Sequence, residues 1–90
     1  MVLLAGFLFL SNLSADSTAS ELRQATFVVG WYDVGKAALD GQKGVITVEK
    51  GWQNMHEINR VEYDPEKVTL EHIEDILKKS GTYISTTPPQ

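Results

Sequence analysis

Between Ala25 and Leu39 the hydrophobic period changes once, at Gly30, and that change restricts the fold more than any other feature of the sequence. Phe27-Val28-Val29 is a β-rich apolar run, and Gly30 ends it. After Trp31-Tyr32-Asp33, the apolar residues Val34, Ala37, Ala38 and Leu39 have mostly helical spacing. The expectation is a strand over Gln24–Gly30 and a short helix over Val34–Asp40. Asp33 suits the N-cap, because its carboxylate can accept a backbone N–H of the first turn. Gly41 and Gly44 follow the helix as stops.

The remaining elements follow from the same reading. Val45–Lys50 alternates in character, which predicts a strand with Ile46 and Val48 on its buried face. Gly51–Met55 reads as a turn, and Glu57–Tyr63 as the next strand, with Val61 and Tyr63 on one face and Ile58 on the other. Asp64-Pro65 ends that strand, since Pro65 has no N–H for a ladder. Thr69 can cap a second helix over Leu70–Ser80, whose stripe is Leu70, Ile73, Ile76 and Leu77. Glu71, Glu74 and Asp75 sit early in it and Lys78 and Lys79 late, in the order the helix dipole favours. Gly81 fits the left-handed position after the helix. Thr82–Ser85 can form a last strand, and residues 86–90 read as a disordered tail.

The order β-α-β-β-α-β predicts an α+β domain of the ferredoxin-like type over residues 24–85. It implies a four-stranded antiparallel sheet, order 4-1-3-2, with both helices on one face. The expected core is Phe27, Val29, Leu39, Ile46, Val48, Val61, Ile73, Ile76 and Leu77.

Residues 1–15 contain no charged residue, and the first ten are almost wholly apolar. Small residues follow, with Leu13 and Ala15 in a -3/-1 relation. This reads as a secretory signal peptide, with a first strand or helix of the domain as the alternative. The run is too short for a stable membrane span, which needs about 20 residues. Residues 16–23 read as a linker. The implied location is periplasmic or extracellular. A net charge of -4 argues against nucleic acid, whose phosphates require a basic stripe. The chain has no cysteine, which excludes disulfides, thiolate metal sites and cysteine nucleophiles.

Two families share stretches with this chain. Ala38-Leu39, Gly44-Val45-Ile46-Thr47-Val48, Val61 through Thr69, Ile73 through Leu77 and Gly81-Thr82-Tyr83 resemble the heavy-metal-associated (HMA) domain of copper chaperones and mercury-binding periplasmic proteins. Aligned through Leu39, that family's Cys-x-x-Cys pair falls at Val28 and Trp31, neither of which binds a soft metal. The resemblance implies the fold without the family's metal site. Separately, Ala25-Thr26-Phe27, Gly30, Ala37-Ala38, Gly44-Val45-Ile46 and Gly51-Trp52 resemble the start of the A-type peptide methionine sulfoxide reductases. There the nucleophile falls at Trp31, and Glu57 falls near an acidic active-site position. Without a thiolate that chemistry is excluded, so this resemblance implies at most an inactive relative.

Few residues point to chemistry. Met55-His56 can ligate copper as thioether and imidazole, but an exposed turn is the simpler account. His72 belongs to a solvated helix face. Asp33 and Glu57 form a conceivable acid–base pair, yet an N-cap and an exposed strand residue explain them as well. The expected function is therefore non-enzymatic and without a cofactor. It is a small exported domain that binds a partner protein or itself, with a Met55/His56 metal-handling protein as the alternative. In the expected topology the loop after strand one, the hairpin and the loop after helix two meet at one end. That end gathers Trp31, Tyr32, Asp33, Trp52, Met55 and Tyr83 as the candidate interaction face, because exposed Trp and Tyr typify binding hot spots.

Overall fold

A computed structural model describes residues 21–87. The expected signal peptide, most of the linker and the last three residues of the expected tail lie outside them. The chain forms β1 (Arg23–Val29), α1 (Tyr32–Leu39), β2 (Val45–Gln53), β3 (His56–Tyr63), α2 (Leu70–Lys79) and β4 (Tyr83–Thr87). The strands make one antiparallel sheet in the order β2-β3-β1-β4, which counted from the β4 edge is 4-1-3-2.

Strand alternation decides which side chains meet the helices. Ala25, Phe27 and Val29 of β1, Val61 and Tyr63 of β3 and Val48 of β2 are buried with Leu39 of α1 and Ile73 and Leu77 of α2. Ile76 packs against this core from its margin. Ile58 is buried on the opposite face, in register with Val28 and Gly51.

Ile46 corrects the expected core: it is 49% exposed. Val45 pairs with Tyr63 while Thr47 pairs with Glu62, so Ile46 is the extra residue of a β-bulge. One inserted residue reverses the side-chain alternation, and Val45 takes the place beside Val48 that Ile46 was expected to hold.

The hairpin is tighter than expected. β2 continues to Gln53, and only Asn54 and Met55 turn the chain, both at positive φ (51° and 68°). Two left-handed central residues are the mark of a type I′ turn, whose twist matches the flanking strands.

α2 starts and stops as the sequence implies. Thr69 Oγ1 accepts the His72 N–H at 3.0 Å. Beyond Ser80, Gly81 adopts φ +75°, its N–H bonds Lys78 O, and the Thr82 N–H bonds Leu77 O. These two bonds satisfy carbonyls the helix leaves open, and the left-handed residue between them favours glycine.

The expected tail is also corrected at its start. Thr86 and Thr87 belong to β4, and Thr86 Oγ1 lies 2.7 Å from both Tyr83 Oη and Glu74 Oε2.

Candidate functional site: the aromatic end

The loop after β1, the β2–β3 hairpin and the loop after α2 lie at one end of the sheet, and the register Val29–Glu57–Trp52 crosses it as one row. Trp31 and Trp52 are each 63% exposed, and Met55 is 90% exposed. Tyr32 is half-buried between loop and core. Its ring meets Trp52 edge to face, with centroids 6.2 Å apart and planes at 80°. Tyr83 is the exception among the expected face residues. Its ring packs on the core, its hydroxyl bonds Thr86, and the Lys78 ammonium lies 5.2 Å from its centroid.

The backbone under these rings is held from outside. The Trp31 N–H donates to Thr82 Oγ1 at 2.8 Å, and that hydroxyl donates back to Trp31 O at 3.2 Å. The Tyr32 N–H donates to Glu57 Oε1 at 2.7 Å, while Asn59 Nδ2 donates to Tyr32 O at 3.1 Å. The Gly30 N–H donates to Thr82 O at 2.8 Å. The N–H and C=O of two consecutive residues, Trp31 and Tyr32, are thus held by side chains from β3 and the α2–β4 loop. Thr82 and Asn59 are themselves buried. A buried polar side chain costs free energy unless it is bonded, so these groups fix one loop conformation where they are satisfied.

This arrangement corrects the expected role of Asp33. α1 begins at Tyr32 rather than Val34, and its N-cap is Trp31, with no side-chain cap from within the loop. Glu57 reaches over from β3 to take the first helical N–H, so it is a half-buried bonding group rather than an exposed strand residue. Asp33, one residue into the helix, instead bonds the Lys50 ammonium at 2.7 Å. The same ammonium lies 5.3 Å from the Tyr32 centroid. The bond to Asp33, more than its charge alone, raises the Lys50 pKa above its ordinary value.

Asn59 Oδ1 is buried without a hydrogen-bond partner among the described residues and lies against Gly35 of α1. A Cβ on Gly35 would collide with that oxygen and come within 3.3 Å of Leu77 Cδ2. Glycine there lets the first turn of α1 press close to β3 and brings the Tyr32 carbonyl within reach of Asn59.

The hairpin places Met55 and His56 in the open, both exposed. Among the described residues no three His, Asp or Glu side chains gather as metal ligands, and no helix is long and apolar enough to cross a membrane. Sequence reasoning missed Glu57, Asn59 and Thr82 as builders of this end. Their signal was only that polar residues stand at positions the topology buries. Comparison with family models, curated proteins and solved structures gives no match to this chain.

Proposed function

We propose that this chain is a non-enzymatic protein-contact domain that works through its aromatic end. The supporting observation is the contrast between a clamped backbone and exposed rings. Thr82, Glu57 and Asn59 hold Trp31 and Tyr32 at both backbone polar groups, while Trp31 and Trp52 remain mostly in solvent. A rigid loop loses little conformational entropy on binding, and tryptophan is among the residues enriched at binding hot spots.

The finer reading is a ferredoxin-like fold of HMA-like kind whose metal site has been replaced by this face. The β-α-β-β-α-β order and the two helices packed on one core support it. Trp31 stands where the first resemblance places one cysteine of its metal-binding pair, the other falling at Val28, and where the second places its nucleophile, so an indole replaces a thiol there. The uncharged apolar run at residues 1–10 supports export, with a mature chain starting near Asp16.

Site-specific photo-crosslinking in cells that make the protein tests the contact reading. A benzophenone amino acid replaces Trp52 in one variant and Glu62, on the far face of the sheet, in another. The proposal expects a discrete protein adduct from position 52 and none from position 62. No adduct from position 52, or equal adducts from both, would overturn it.

A further inference from the structure

From the size and charge of the aromatic end we infer that two copies of this chain pair through it about a two-fold axis. The inference rests on reading that end as a contact face. Of the large apolar side chains left exposed among the described residues, Trp31, Val34, Trp52 and Met55 are at this end. A tryptophan offers on the order of 250 Å². At the exposures given above, the patch is on the order of 500 Å² per copy, at the upper end of what monomers leave open. Two such patches brought together remove roughly 1,000 Å² from water, the lower limit for a specific interface.

The charges favour a second copy over a strongly charged partner. Lys50 and Asp33 stand side by side at the rim, 2.7 Å apart, with side chains 43% and 74% exposed. A two-fold interface presents the same surface from both sides, so each charge must meet its complement. A neighbouring cation and anion satisfy that condition: Lys50 of each copy can turn to Asp33 of the other. A uniformly acidic or basic partner would meet repulsion from one of them. Pairing by strand edges is obstructed instead. The edge strand β2 is bulged and its Val48 carbonyl accepts from Lys36 Nζ at 3.0 Å, while β4 is five residues long and irregular beside Val28.

Sedimentation equilibrium of the full chain from about 1 µM to about 1 mM tests the pairing. The expected result is a monomer–dimer equilibrium that Trp52→Ala weakens about tenfold or more without loss of cooperative melting. Asp33→Lys and Lys50→Asp should each weaken it by about tenfold, through like charges brought together. An equimolar mixture of those two variants should recover association. A wild-type chain that stays monomeric throughout overturns the inference. So does association that Trp52→Ala leaves unchanged, or a mixture that recovers nothing. If the chain is monomeric and position 52 still cross-links a different protein, the pairing fails and the contact face stands. If position 52 captures nothing, both fail.

Discussion

Trp31 and Tyr32 show the physics of this molecule at the smallest scale, because their backbone and their side chains serve different ends. The backbone is bonded to the buried Thr82 and Asn59 and the half-buried Glu57, and the Trp31 ring is left to solvent. The clamp in turn depends on a glycine. Gly35→Ala forces a methyl group onto the Asn59 oxygen and is expected to cost about 1–3 kcal/mol. Asn59→Ala removes the amide that donates to the Tyr32 carbonyl and leaves a gap beside Gly35, and it is expected to cost a similar amount, about 1–3 kcal/mol. The two costs should not add, since Asn59→Ala removes the atom that Gly35→Ala strikes. Urea unfolding of both single variants and the double variant checks this, and full additivity would disprove the collision. Met55 carries the opposite kind of strain. A methionine at φ 68° pays a steric penalty that glycine does not, and its side chain is 90% exposed. Met55→Gly is expected to stabilise the domain by about 1 kcal/mol, seen as a raised urea midpoint at constant slope.

The elements were legible in the sequence wherever a period or a terminator was local. The stripe Leu70, Ile73, Ile76, Leu77 between Thr69 and Gly81 gave α2 its limits within a residue, because cap, stripe and stop act over one or two turns. β2 was found but its facing was half wrong. A bulge has no signature in so short a run, since Val45 and Ile46 are equally good β residues and only the pairing with Tyr63 and Glu62 separates them. Ile46→Thr is accordingly expected to change stability by less than about 0.5 kcal/mol. Val48→Thr, which buries a hydroxyl in the core, should cost about 1–3 kcal/mol. Equal losses in thermal melts would restore Ile46 to the core. α1 began earlier than its apolar spacing implied because its first N–H is served by Glu57 from another strand, 25 residues away in sequence. Long-range capping of this kind cannot be read from neighbouring residues. The gathering of Trp31, Tyr32, Trp52 and Met55 was legible, because it follows from topology and loop position.

At the scale of the whole molecule, titration and stability are linked through Lys50 and Tyr63. Hydrogen bonding to Asp33 raises the Lys50 pKa above 10.5, and burial raises that of the Tyr63 hydroxyl above 10.0. In both cases the folded state holds its proton more tightly than the unfolded chain. Their contribution is therefore complete below about pH 10 and is lost as pH rises through the folded values. The melting temperature is expected to fall above about pH 10, and less steeply in Tyr63→Phe. An alkaline profile identical in that variant would remove Tyr63 from the account. The central claim is that the aromatic end, proposed as a contact face, is held by polar side chains of β3 and the α2–β4 loop and not by its rings. Thermal unfolding of two variants under identical conditions tests it most directly. Thr82→Val removes one hydroxyl from the clamp, and Trp31→Ala/Trp52→Ala removes both large rings. Thr82→Val is expected to lower the melting temperature by about 4–24 °C, in line with a loss of about 1–3 kcal/mol, while the double tryptophan variant melts cooperatively and loses less. A double variant that is unfolded, with Thr82→Val near wild type, would show that the rings are core and contradict the claim.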